Sequence, residues 1–308
     1  MAKDNYHDKG YKGLLSKKRN FIKFLRHFVK NECVKLIDES SLRLCDKGFV
    51  NALFKELESD LIYSAKIADR DVYFYVITEL QSSVDFTMPF RVLRYIWAIL
   101  EREFFSTPKD ERKRAGFRLP LVVPIVFYNG EDGWNVTRNF KHYLQGGDLL
   151  EGVIDFEYTL VDINLLDKEY LLKNHDAICA AIAVDKVRGK GSEQLFSILS
   201  EIRRFKSGFV PEELEDLLTW LKQILGYCVE SDEDVEKIIV SFKEGGDAEM
   251  RTGVSILLDN TRNEGIIIAA LRLLSKGKSI QEAVDLLDLS DKQREEVEAR
   301  AGQEAKPA

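Results

Sequence analysis

Two neighbouring runs rich in β-branched and aromatic residues, Asp60 to Ile67 and Val72 to Leu80, flank the polar break Asp69-Arg70-Asp71. Such spacing predicts a β-hairpin, around which the rest of the chain has to be arranged. A symmetric reversal about Asp69-Arg70 sets Ala68 opposite Asp71, Ile67 opposite Val72 and Asp60 opposite Glu79. Opposed Cβ atoms lie ~4.5–5.5 Å apart, so two carboxylates there repel unless they share a cation. Alternation puts Tyr73, Tyr75, Ile77, Glu79 and Gln81 on one face. Two carboxylates, a backbone carbonyl and waters suit Mg²⁺, which activates water and stabilises charge developing on a phosphate. The alternative is a solvated hairpin whose acidic ends never meet, and a one-residue slip would destroy the pairing.

Around the hairpin the periodicity changes. Phe21, Phe24, Leu25 and Phe28 form one stripe and predict a helix over about 16–31. Pro89, tolerated in a first turn, precedes Phe90, Leu93, Ile96, Trp97 and Leu100 and predicts a helix over about 88–105. Leu121 to Tyr128 reads as a strand ending at Asn129-Gly130, with Pro124 suggesting an edge position or bulge. Phe156 to Ile163 reads as another strand, and Gly189-Lys190-Gly191 marks a boundary. Beyond about 192 the patterns are helical, with Leu217, Trp220, Leu221 and Ile224 on one stripe and Ile266 to Leu274 as another apolar stretch. The expected organisation is an α/β domain at 1–190 and a helical region at 191–308.

Near the end, Ser279-Ile280-Gln281-Glu282 and Ser290-Asp291-Lys292-Gln293 match the capping-box pattern. They predict two short helices in helix-turn-helix outline, with Ala283, Leu286 and Leu287 on the first apolar face and Val297 on the second. The second helix is net acidic, which favours packing or self-association of the C-terminal helices over groove reading.

Charge is unevenly spread. Residues 1–30 hold nine Lys and Arg against two Asp, net +7, whereas residues 211–248 hold eleven acidic against three basic residues, net −8. The basic segment is read either as a phosphate-contacting arm or as a solvated helix face. No apolar run is long enough for a membrane helix and the start lacks a secretory core, so a cytoplasmic protein with no membrane partner is expected. Cys33, Cys45, Cys179 and Cys228 lack CxxC spacing and read as ordinary buried thiols. His27, His142 and His175 show no ligand spacing with one another, and neither a P-loop nor GxSxG occurs.

Ser59-Asp60-Leu61-Ile62-Tyr63, Thr78-Glu79-Leu80-Gln81-Ser82-Ser83, Met88-Pro89-Phe90-Arg91 and Leu93-Arg94-Tyr95, in that order, together resemble the Rpn family of recombination-promoting, YhgA-like nucleases within the PD-(D/E)xK superfamily. The resemblance runs from His7-Asp8-Lys9 through Val123 to Gly130 and more loosely into the tail. It implies a restriction-endonuclease-like PD-(D/E)xK core, a mixed sheet flanked by helices, with a helical C-terminal region. It also implies an endonuclease that hydrolyses DNA with Mg²⁺ or Mn²⁺ and promotes recombination. By this resemblance Asp60 and Glu79 ligate the metal with the Leu80 carbonyl, and Gln81 stands where the superfamily has lysine. An amide orients water but supplies no charge, so Lys12, Arg91 or Arg94 is the candidate source. Arg91 and Tyr95, at i and i+4, share a helix face suited to a phosphate or the attacking water. Asp8 is a further supporting candidate. The rival reading is a catalytically weak or inactive nuclease-fold module that binds nucleic acid or protein through its basic front half and acidic tail.

Overall fold

The computed structural model describes residues 5–30, 32–45, 61–79, 84–130, 132–188, 190–226 and 232–304. Its contacts divide into two compact units, residues 1–186 with 204–223, and residues 187–203 with 224–308.

The first unit is built on a five-stranded mixed sheet in sequential order: β1 (Ile37–Leu44), β2 (Leu61–Ile67), β3 (Arg70–Glu79), β4 (Leu121–Tyr128) and β5 (Thr159–Asp162). The first three strands form an antiparallel meander, and β4 and β5 continue it in parallel. Helices α1 (Asn5–Leu15) and α2 (Lys18–Phe28) precede the sheet, and α3 (Met88–Ser106) makes the crossover between parallel β3 and β4. Parallel neighbours require such a crossover, because a tight turn can only reverse the chain.

The two faces of the sheet have separate cores. On one, Phe21 stacks on Tyr63 at 3.8 Å and meets Phe74 edge-on, and Phe24 meets Phe127 at 5.6 Å. On the other, Ile62, Tyr75, Ile77 and Val126 pack with Met88, Val92, Tyr95 and Ile99 of α3. Strands β2, β3 and β4 are buried on both faces along most of their length, which is why their apolar runs are nearly continuous.

The hairpin forms, with a different register. Leu61 pairs with Val76 and Ile67 with Arg70, so the two-residue loop is Ala68-Asp69 and the symmetric reversal about Asp69-Arg70 is corrected by two residues. Ala68 and Asp69 have φ of 48° and 62°. Two positive φ values make the primed turn whose twist matches the flanking strands. Asp tolerates that conformation and Ala does so at a cost. Ala68→Asn is therefore expected to raise stability by about 0.5–1 kcal/mol, read as an upward shift of the urea midpoint with unchanged slope.

Strand β1 carries no apolar alternation in its sequence and was not anticipated. It is an edge strand, mostly exposed, with an irregularity between Asp38 and Arg43. Asp38 accepts from the Ser40 amide and hydroxyl, and Ser41 Oγ accepts from the Lys66 amide, so side chains replace part of the ladder. Charged, bulged edges of this kind resist pairing with other chains.

Strand β4 is internal rather than an edge. Pro124 pairs with Tyr75 on β3, whereas β5 begins only opposite Ile125, so the missing N–H falls where β5 has not yet joined. The strand expected over Phe156 to Ile163 is shorter, Thr159–Asp162, with an isolated bridge between Asn139 and Glu157 before it. After β5 come α4 (Lys168–Lys173) and α5 (Ala177–Asp185), the latter buried along its whole length.

Helix α6 (Ser192–Arg204) opens the helical region and α7 (Pro211–Gly226) follows, but residues 204–223 return to the first unit and cross the single boundary expected at 190. Trp220 of α7 is 1% exposed and lies 5.4 Å from the Tyr11 ring, while Lys23 and Arg19 of α2 pair with Glu213 and Asp216. Three cations of the basic segment are thus engaged within the chain, because Arg26 also pairs with Glu39. The +7 and −8 segments are partly complementary to one another, an option that neither sequence reading of the basic segment included.

In the second unit, α8 (Asp232–Glu244) packs on the long α9 (Asp247–Ser275), which in turn contacts α10 (Ile280–Leu287) and α11 (Asp291–Glu304). Both capping boxes are present, with Ser279 and Glu282, and Ser290 and Gln293, bonding reciprocally. Ala283 and Val297 are buried with Ile267 and Ala270 of α9. Leu286, expected on that apolar face, is 63% exposed instead, because α10 contributes only one narrow side to the cluster.

Candidate active site

The described part of the site lies at the C-terminal ends of β3, β4 and β5, where Glu79 is level with Tyr128 and Tyr128 with Asp162. Asp60, Leu80 and Gln81 lie outside the described residues, as do the side chains of Asp8 and Glu79. Direct opposition of Asp60 and Glu79 requires pairs summing to 139, whereas the described pairs sum to 137.

Helix α3 runs back along β3 from Met88, so its first turns lie toward the Glu79 end. Tyr95 is buried with its ring 4.7 Å from that of Tyr75. One turn earlier, half-buried Arg91 pairs with Asp85 at 2.7 Å, and the other Asp85 oxygen accepts from the Thr87 amide and hydroxyl. Burial pushes the Asp85 carboxyl up, but the hydrogen bonds from Thr87 and Arg91 outweigh it and hold it below the usual range. Arg91 and Tyr95 are thus positioned together, as their spacing implied. Arg94 is exposed.

On the β4 side, Asn129 Nδ2 donates to Asp185 Oδ2 at 2.9 Å, and the Tyr11 hydroxyl donates to the same oxygen at 3.1 Å. Asp185 is 5% exposed and Tyr11 1%. This buried junction ties α1, the end of β4 and α5 together, and it places half-buried Lys12 beside Tyr11 on α1. Tyr11 and Asp185 were missed in the sequence because 174 residues separate them. Asn129 was read only as a turn residue. Gly130 is required where it stands, since a Cβ there would come 2.2 Å from the Tyr128 hydroxyl.

A second polar cluster contains Cys179, which is a buried free thiol as the sequence implied, and joins it to a histidine distant in sequence. His27, Asp176 and Cys179 bring their ligand-type atoms within 4.8 Å of one another. Both Asp176 oxygens are committed, one accepting from the Cys179 amide at 2.9 Å as the N-cap of α5 and the other bonded to His27 Nε2 at 2.7 Å. Burial pushes the Cys179 thiol well up, which keeps it neutral. The cluster therefore reads as a structural link between α2 and α5. Burial also pushes Asp176 up, but the hydrogen bonds from His27 and the Cys179 amide and the His27 and Lys23 charges hold it low. Asp176→Ala is expected to cost about 2–3 kcal/mol at neutral pH through the lost cap and the stranded His27. A depressed carboxyl stabilises the fold above its unfolded pKa of about 4, and that contribution is lost as pH falls through the folded value. The difference between wild type and variant should accordingly narrow below about pH 4 in urea titrations.

The fold and this arrangement define a mixed α/β protein whose candidate site lies where an antiparallel hairpin meets a parallel extension. The chain belongs to the family described as "Putative transposase, YhgA-like", which matches residues 5–209. It is 33% identical to the recombination-promoting nuclease RpnD of Escherichia coli O157:H7 over 124 residues, 40% of this chain and 45% of that one. It is 27% identical to the inactive recombination-promoting nuclease-like protein RpnE of Escherichia coli K12, over 54% of each chain. Against the recombination-promoting nuclease RpnC of the same strain it is 25% identical, over 92% of this chain and 93% of that one. The matches thus span about half of RpnD and RpnE, and nearly all of RpnC. No solved structure matches the chain significantly. Among the described residues, no helix is long and apolar enough to cross a membrane.

Proposed function

We propose that this chain is a metal-dependent DNA endonuclease of the PD-(D/E)xK type that promotes recombination. The observation that carries the reading is the alignment with RpnC, a recombination-promoting nuclease, along nearly the whole chain. The five-stranded mixed sheet with helices α1, α2 and α3 supports it, because a mixed sheet flanked by helices is what the family resemblance implies.

In this reading Asp60, Glu79 and the Leu80 carbonyl hold Mg²⁺ or Mn²⁺, a hard oxygen set that matches such a cation. The reading requires the two carboxylates to converge on one ion. When bound, the ion supplies Lewis acidity toward the phosphate and an activated water. Gln81 orients that water through its amide. Arg91, held by Asp85 beside buried Tyr95, and Lys12 on α1 supply positive charge toward the scissile phosphate. DNA is the partner, and the C-terminal helices are the candidate surface for self-association in this reading.

The inactive reading has one specific support, the likeness to a protein named inactive, RpnE. Incubating supercoiled plasmid with the protein in Mg²⁺, Mn²⁺ or EDTA, beside Asp60→Ala and Glu79→Ala, separates the two.

A further inference from the structure

Helix α3 is apolar on two opposite sides. Met88, Val92, Tyr95 and Ile99 face the sheet and are at most 5% exposed. On the reverse side lie Phe90, Arg94, Trp97, Glu101 and Phe104, spaced i, i+4, i+7, i+11 and i+14. There Phe90 is 50%, Trp97 65% and Phe104 37% exposed, and adjoining Phe105 is 67% exposed. The outward side of a surface helix is ordinarily polar. A contiguous aromatic strip of this kind marks an interaction site, and Trp, Phe and Arg are the residue types enriched in interface cores.

The strip is complementary to itself. In an antiparallel pairing with a two-fold axis through Trp97, Phe90 lies seven residues before the axis and Phe104 seven after, so each meets the other on the opposite helix. Arg94 lies three residues before the axis and Glu101 four after, within one residue's rise of ~1.5 Å, so Arg94 of one copy faces Glu101 of the other. The contact occurs twice, which is the isologous pattern of a two-fold dimer. Glu101 at the middle of the strip argues against a phosphate-bearing partner there. One end of the strip is held in place, because the Arg112 guanidinium lies 4.7 Å from the Phe104 ring and 5.5 Å from the Phe105 ring, and Phe117 meets Phe104 edge-on.

We propose that this face of α3 is the interface through which two copies of the chain associate, α3 against α3 and antiparallel. The inference does not depend on the nuclease reading. Sedimentation equilibrium of the full chain should show a mass rising with concentration from 35.4 kDa toward twice that value. Trp97→Asp should weaken the dimer by at least about a hundredfold, by burying a charge at its centre. Arg94→Glu and Glu101→Arg should each weaken it by about tenfold through like-charge pairs. The double variant Arg94→Glu/Glu101→Arg should recover the wild-type dissociation constant to within about threefold, since both pairs are restored in reverse. Circular dichroism and melting of each variant confirm that these exposed substitutions leave the monomer folded. A monomer at all concentrations, a dimer unmoved by Trp97→Asp, or a double variant without recovery would each overturn the proposal.

Discussion

Supercoiled plasmid is expected to be nicked by the wild-type chain in Mg²⁺ or Mn²⁺ but not in EDTA, and the rate should fall by at least about a hundredfold in Asp60→Ala and in Glu79→Ala. The size follows from the roles assigned. Each carboxylate is one of two charged ligands, and removing either leaves the cation with too little negative charge to stay at the concentrations used. The two variants should also lose thermal stabilisation by Mg²⁺, because a ligand that binds only the folded state raises stability by mass action. Equal nicking by all three proteins would sink the assignment of Asp60 and Glu79, and none by any would favour the inactive reading.

The second large effect concerns the boundary between the units. A chain ending at residue 190 is expected not to fold cooperatively, whereas one ending at residue 226 should. Ending at 190 removes Trp220, whose burial against Tyr11 is worth about 3–5 kcal/mol by comparison with Trp→Ala replacements. It also leaves Lys23 and Arg19 without Glu213 and Asp216. Together with the rest of the apolar face of α7, that loss rivals the ~5–15 kcal/mol of a whole domain. Urea titration of the two truncated chains checks this. A sharp transition for the chain ending at 190 would show that α7 is not part of the first unit's core.

How much of the protein could be read from its residues depended on how local the deciding interaction was. Helix α3 was placed to within a residue or two because Pro89 and the 3.6-residue repeat are local signals. The two capping boxes and the strand over Leu121–Tyr128 were legible for the same reason. The hairpin was found, but its register was off by two, because the choice between Ala68-Asp69 and Asp69-Arg70 depends on twist and packing rather than on turn propensity, which disfavours Ala at positive φ. Strand β1 escaped notice since an exposed edge strand has no buried face to leave a pattern.

For the site, helical spacing put Arg91 and Tyr95 one turn apart on α3, but their partners Asp85 and Tyr75 came only from the structure. The Tyr11, Asn129 and Asp185 junction and the His27, Asp176 and Cys179 cluster depend on contacts across 56 to 174 positions, which no spacing rule reaches. By itself, the sequence determined the alternation of strands and helices and the helix caps, since each follows from residues within a few positions of one another. Only the tertiary structure decided the strand register, the return of α7 to the sheet domain and the pairing of basic α2 with acidic α7. These are set by burial and charge between distant segments, where the free energy of folding is gained but no local periodicity records it.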